Sequence, residues 1–255
     1  MKKLLAFTLS EVLITLGIIG VVAALTVPNL VTSYQRKAQT VQLRKTISEI
    51  ENALDLLITE EGKTSLAQTS IAEDDGVSEF FKNHMRIIKS CSSTETSNCF
   101  ASENYTSIDG SRTKAFSCAG TSYVLANSAA VCANKTELVA IEAKEKNSDP
   151  LTPSTSTPFF QMVSSGLNIE LYIDTNGSAP PNIGGRDMFL VYIKPDGTIV
   201  SSVATNDTVC TLNSEKKPVC VEADKYTIED STCESSAFGS KCFAKILDSN
   251  WEMNY

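Results

Sequence analysis

The chain has 255 residues, with 22 basic and 30 acidic side chains, a net charge of −8 at pH 7, 8 cysteines and a single histidine. That length holds one good-sized domain or two small ones. The acidic balance, with no basic patch beyond Arg36, Lys37, Arg44 and Lys45, speaks against a nucleic-acid surface, and a lone histidine leaves little room for triad or His-rich metal chemistry.

The N-terminus reads MKKLLAFTLSEVLITLGIIGVVAALTVPNL. Lys2 and Lys3 precede an apolar run that holds one acid, Glu11, and no further charge appears until Arg36. A carboxylate within a segment long enough to enter a bilayer is costly and needs a partner or a function. A cleaved secretory signal would have a short unbroken apolar core and a small-x-small exit, which Glu11 and the length of the run oppose. A plain anchor needs roughly 20 apolar residues; Val12 to Val27 nearly supplies them and leaves Glu11 without a purpose.

The run Ala6-Phe7-Thr8-Leu9-Ser10-Glu11 resembles the processing site of type IV prepilins and related pseudopilins, with Gly20 and Pro28 at that family's helix-softening and helix-kinking points. The resemblance covers about residues 1–35. It implies a six-residue cytoplasmic leader, cleavage between Ala6 and Phe7 by a membrane prepilin peptidase, and N-methylation of Phe7. Alanine before the cut departs from the usual glycine. It also implies that Glu11, fifth in the mature chain, pairs with the Phe7 amino group of a neighbouring subunit. Such a pair would offset the burial of both charges and set axial register; the alternative is that Glu11 snorkels to the cytoplasmic surface. Lys2 and Lys3 hold the leader inside, which places the C-terminal bulk outside.

Beyond Pro28 the apolar positions Val31, Tyr34, Ala38, Val41, Leu43, Ile47, Ile50, Leu54 and Leu57 keep steps of mostly three and four, which predicts one amphipathic helix. Arg36, Lys37, Gln42, Lys45, Glu49 and Asp55 take its polar face, and Gly62 is the stop. The helix is thus expected over 7–60, all-round apolar to about residue 30 and striped over 31–60, with a sheet required to cover the stripe. Residues 61–255 form the head.

In the head, Ser78–Lys89 predicts a short helix with Phe81, Met85 and Ile88 on one side and His84 as a packing or surface residue. Residues 121–126, 137–142 and Asn168–Asp174 predict strands. Ser148–Pro158 (SDPLTPSTSTP) is a loop or linker. Met188–Lys194, Pro195-Asp196-Gly197 and Thr198–Val203 predict a β-hairpin. Cys242–Leu247 starts a closing helix or strand, and Trp251 packs on the head. The acidic pairs Glu60-Glu61 and Asp74-Asp75 read as solvated surface.

The cysteines fall in short couples: Cys91 and Cys99, Cys118 and Cys132, Cys210 and Cys220, Cys233 and Cys242. No couple has C-x-x-C spacing, so disulfides are expected rather than a metal centre. Sequential pairing is the simplest of about 105 connectivities. Asp174, Asn176 and Asp187 offer hard oxygens of the kind calcium takes, and some pseudopilins bind calcium in a C-terminal loop. No complete ligand loop can be written from these residues, and turn chemistry explains Asp174–Gly177 equally well.

The expected fold class is therefore α+β and pilin-like: a long N-terminal helix, half transmembrane and half amphipathic, on an antiparallel sheet with disulfide-pinned loops. No catalytic motif is present, and neither an enzyme nor a cofactor is expected. The resemblance implies a structural subunit of a type IV pilus or secretion pseudopilus, held in the cytoplasmic membrane and then drawn into a filament. Its partners would be other pilins, the prepilin peptidase and the assembly platform with its ATPase. The large head favours a minor or tip subunit; the alternative is a filament-borne adhesin or ligand-binding protein with the same leader.

Overall fold

The computed structural model describes residues 8–144, 159–201, 209–212, 218–221 and 232–255. Helix α1 runs unbroken over Leu9–Glu60, 52 residues with Pro28 inside it, a rod about 78 Å long at ~1.5 Å per residue. Pro28 has no N–H to give the Ala24 carbonyl, yet the helix continues through it; one turn on, Thr32 Oγ1 donates to Pro28 O at 3.0 Å. The rod ends at Glu61, followed by Gly62 in the left-handed region (φ 62°), the conformation that glycine adopts without a Cβ penalty.

The buried stripe on α1 is Thr40, Leu43, Thr46, Ile47, Ile50, Ala53, Leu54 and Leu57. It begins later than the sequence pattern indicated, because Val31 and Tyr34 are exposed: the head does not reach that far down the rod. Val41, level with the buried Thr40, is exposed on the side of the helix away from the stripe. Against this stripe lies an antiparallel sheet. Its strands are β1 (Ile87–Cys91), β4 (Ser122–Leu125), β5 (Ala130–Lys144), β6 (Phe159–Asp174), β7 (Met188–Ile193) and β8 (Ile199–Val200), paired in the order β1-β4-β5-β6-β7-β8. A second hairpin, β9 (Val209–Leu212) with β10 (Pro218–Val221), joins the edge of β5 at Ala140↔Val209. Two short strands, β2 (Tyr105–Thr106) and β3 (Thr113–Lys114), form a separate pair.

Alternation sets the two faces. Leu167, Ile169, Leu171 and Ile173 of β6, with Phe189, Val191 and Ile193 of β7 and Val131 of β5, share one core with the α1 stripe. On the other face Ala130, Cys132 and Met188 join Cys91, Cys99, Cys118, Phe100 and Tyr105 in a second cluster. The sheet is therefore covered on one side by α1 and on the other by loops that two disulfides pin, Cys91–Cys99 and Cys118–Cys132. The third, Cys233–Cys242, sits in the first core. Three of the four sequential bridges are thus formed. Cys210 and Cys220 occupy opposed positions in the β9–β10 register, and their side chains fall outside the described ones.

Several elements differ from the sequence reading. Helix α2 covers Gly76–His84 and stops there; Ile87 and Ile88 enter β1, where Ile87 pairs with Leu125 and Ile88 is exposed, because β-branched residues suit a strand edge better than a continued helix. Gly76 packs so closely on the preceding turn that a Cβ there would lie 2.0 Å from Ser70 O. Strands β5 and β6 extend well past residues 137–142 and 168–174, forming one long hairpin with a register shift at Ala140/Ile141. The expected loop at 148–158 lies outside the described residues. The β7–β8 hairpin turns at Pro195-Asp196-Gly197 as predicted, with Gly197 at φ 86° and Asp196 Oδ1 accepting from Thr198 N at 3.0 Å; residues 202 and 203 of its second strand are outside the described set. Cys242–Asp248 is helix α3, and Trp251 packs edge-on against Phe243 under the Arg44 guanidinium. His84 stacks on Phe80, with Nδ1 3.9 Å from Glu60. Glu61 is not idle surface: its carboxylate accepts from Ser70 N at 3.0 Å and Ser70 Oγ at 2.5 Å, tying the end of α1 to the next turn.

Candidate assembly site

Thr8 is the N-cap of α1. Its hydroxyl accepts from Glu11 N at 3.3 Å, while Glu11 Oε2 accepts from Thr8 N at 2.8 Å and Thr8 Oγ1 at 2.9 Å. This reciprocal capping box satisfies two of the orphan donors of the first turn and places a negative charge at the positive end of the helix. The signal was legible as Thr8-x-x-Glu11 and was not used in the sequence reading. It gives Glu11 a local role beside any intermolecular one. Both bonds use Oε2, and Oε1 accepts none among the described residues. Thr8 lies after the expected cut, so the box would survive loss of residues 1–6. Ala6 and Phe7 themselves lie outside the described residues.

From Leu9 to Gln35 nothing in the described chain buries α1. Leu13 is 61% exposed, Ile19 63% and Leu25 71%. A Cβ added at Gly20 would meet no atom within 4 Å, so that glycine is not required by packing within the chain, and it leaves a low point on the rod. Within Leu9–Glu60 lies a stretch long and apolar enough to cross a membrane, by length and composition, and none of it is buried. Continuous apolar exposure on this scale exceeds what a free soluble surface ordinarily carries.

The head is fixed to the rod by a polar clamp as well as by apolar burial. The β4–β5 turn presents Asn127, whose Nδ2 donates to Thr46 Oγ1 at 3.0 Å and to Glu49 Oε2 at 2.9 Å. Gln42 Nε2 in turn donates to Asn127 O. Gln42 and Glu49, assigned from sequence to the solvated face, thus reach the head at the flank of the apolar stripe.

The candidate calcium residues meet at the β6–β7 connection. Asp174 accepts from the Tyr105 hydroxyl and, at 3.1 Å, from Asn176 N. Asp187 accepts from Asn182 N and Ile183 N, each at 2.7 Å. Burial first, and then the charge of Asp187, push the Asp174 carboxyl well above the usual carboxylate range; burial also raises Asp187. Asn176 Nδ2 bonds Ala179 O at 2.7 Å and Pro180 O at 3.0 Å. Thr175 Oγ1, Asn176 Oδ1 and Asn182 Oδ1 are buried without a hydrogen-bond partner. All four carboxylate oxygens are engaged by N–H or O–H donors, and among the described residues no group of three or more His, Cys, Asp or Glu is arranged to hold a metal. Asp174 and Asp187 act here as the hydrogen-bonded lock of the connection.

Comparison of the chain with protein-family models, with curated proteins and with solved structures gave no match. The arrangement has to be interpreted from its own physics.

A cavity of about 470 Å³ opens on the sheet face opposite α1. Arg112, Lys114, Tyr172, Ser236, Phe238 and Ser240 line it, and the Lys114 ammonium lies 5.4 Å from the centre of the Phe238 ring.

Proposed function

We propose that the protein is a prepilin-type subunit, anchored in a membrane by the first half of α1 and assembled into a filament through the same surface. The observation that carries this reading is the division of one continuous helix. Thr40–Leu57 is buried under the sheet, while Leu9–Gln35 is bare, apolar and capped at its start by an acid. A bilayer covers such a rod before assembly, and like rods cover it afterwards. A helical array of identical rods is heterologous and non-closing, the geometry of a fibre. Glu11 Oε1, left open by the capping box, is the acceptor for the Phe7 ammonium of an adjoining copy. The three disulfides agree with a head outside the cytoplasm.

The decisive test is mass analysis of the mature N-terminus. The reading expects a chain that begins at methylated Phe7; an intact Met1, or a start beyond Ala24, contradicts it. As a second test, Glu11→Ala and Glu11→Val leave the protein in the membrane and impair its entry into fibres. Normal incorporation of both variants removes the pairing role.

A second reading has its own observation. The cavity lined by Arg112, Lys114 and Phe238 supports a head that also binds a ligand, as a tip adhesin would. Stoichiometry in sheared filaments separates the two: an abundant chain is shaft, a scarce one is an initiator or adhesin.

A further inference from the structure

The segments that cover the sheet face opposite α1 leave a corner of aromatic rings at the cavity. Phe238, inside the loop closed by the Cys233–Cys242 bridge, meets Tyr172 of β6 at right angles, with ring centres 6.0 Å apart. Phe116 and Tyr105 pack edge-on against Phe238 at 5.5 Å and 6.2 Å. These neighbours fix the ring, which stays half-buried and lines the cavity.

The Lys114 ammonium, on the exposed strand β3, lies 5.4 Å from the centre of that ring. An aromatic face attracts a cation without neutralising it, and Lys114 has no carboxylate partner among the described residues. Arg112 lines the same wall. Asp109 N donates to Glu234 O at 3.1 Å, which ties this wall to the segment that carries Phe238. Among the described residues no carboxylate lines the cavity. The acids on the two segments are engaged elsewhere: Asp109 accepts from the Ser107 and Ser111 hydroxyls, each at 2.7 Å, and Glu234 pairs with Lys245. Glu170, two residues before Tyr172 on β6, is not among the lining side chains.

The lining hydroxyls are open in both senses. Ser236 Oγ accepts from Ser240 N at 2.9 Å and keeps its proton to donate. The Thr113 and Ser240 hydroxyls have no protein partner among the described residues. The volume, about 470 Å³, falls within the roughly 300–1,000 Å³ of small-molecule sites. One ligand has to match three features. An ammonium without a counter-charge calls for an anion. Hydroxyls that donate and accept suit a ligand with hydroxyls of its own. An aromatic corner takes an apolar C–H face. An inorganic anion meets the first feature alone, and an aliphatic acid lacks the second. A sugar ring that bears a carboxylate meets all three.

We propose that this cavity binds an acidic sugar, the uronic-acid unit of a glycan. The site rests on the second reading above, in which the head binds a ligand. The Lys114 ammonium takes the carboxylate, the Phe238 and Tyr172 rings take the C–H face, and Thr113, Ser236 and Ser240 bond the ring hydroxyls. The cavity looks away from α1, so a glycan reaches it whether the rod lies in a bilayer or among other rods.

The test uses the full-length chain in a detergent without a sugar headgroup, with sodium glucuronate as the probe and saturation-transfer NMR as the readout. Glucuronate binds about tenfold or more tightly than glucose, its neutral counterpart, and Lys114→Gln removes that advantage while leaving glucose unchanged, as loss of a charge-assisted bond implies. Phe238→Leu weakens both sugars by about three- to tenfold. Lys82→Gln, at an exposed position on α2, binds like the wild type. Lys114→Gln, on an exposed strand, remains informative if Phe238→Leu disturbs the head. Equal glucuronate binding by the wild type and Lys114→Gln overturns the site. Displacement of glucuronate by equimolar acetate or inorganic phosphate also overturns it, in favour of a general anion site. Glucose binding as tight as that of glucuronate, and lost in Phe238→Leu, overturns the acidic ligand and keeps a ligand-binding head. No binding of any of these four probes, in a chain abundant in sheared filaments, overturns the second reading together with the site.

Discussion

Leu13 and Ile19 on one half of α1 are chemically no different from Leu43 and Ile50 on the other. Yet the first pair is 61% and 63% exposed and the second is wholly buried. The helix does not change along its length; its surroundings do. Below Thr40 the sheet ends, and from about Leu30 downward the rod continues as an apolar cylinder with no face reserved for water. Burial of each large aliphatic side chain is worth about 1.5–3 kcal/mol. In the upper half the head collects that free energy. In the lower half it remains available to a bilayer or to other copies of the same rod. Fold stability thus rests on one half of the element, and the assembly proposed above would rest on the other.

The sharpest way to break this division is to truncate equivalent side chains on each side of it. Leu54→Ala, in the wholly covered stripe, should destabilise the head by about 3–5 kcal/mol, read by urea unfolding in detergent with Trp251 fluorescence. Leu13→Ala should change the same transition by less than about 0.5 kcal/mol. A comparable loss from both would show that the lower half also supports the head.

The loop-covered face of the sheet should respond next. Cys118→Ala/Cys132→Ala opens a bridge with a sequence separation of 14 and should cost about 3 kcal/mol, with no effect on membrane residence. The clamp is smaller. Asn127→Ala removes the donors to Thr46 and Glu49 and should cost about 1–2 kcal/mol, visible as faster amide exchange at the covered half of α1 and unchanged exchange below Gln35.

The smallest effect is a pH slope. A carboxyl whose pKa is higher folded than unfolded binds its proton more tightly when folded. Its stabilisation is full below the unfolded value and is lost as pH rises through the folded one. Asp174 is raised in this way, by burial and then by Asp187, so the head should lose stability as pH climbs above the ordinary carboxylate range. Asp174→Asn, which keeps an acceptor for the Tyr105 hydroxyl, should flatten that slope. A slope unchanged in the variant would assign it to another group.

The features legible in the sequence were those with a strong local signature. Glu11 in an apolar run, the three-four spacing of Leu43 to Leu57, Asp196-Gly197 between apolar strands and the short cysteine couples all fixed their elements. The parts that were missed depend on what lies across from a residue. Ile87-Ile88 suits a helix or a strand, and β4 decides between them. Val31 and Tyr34 continue the helical spacing, but no periodicity states where the covering sheet stops. Glu61, Gln42 and Glu49 are ordinary polar residues until Ser70 and Asn127 arrive beside them. Only the Thr8–Glu11 capping box was local, readable and overlooked.

The central claim is that the bare half of α1 is covered by other molecules and never by its own head. A photo-cross-linking residue at Ile14, 60% exposed, tests it in membranes and in sheared filaments. The account predicts lipid adducts before assembly and adducts to the N-terminal helix of another copy afterwards. Adducts confined to the chain's own head in both states would contradict it.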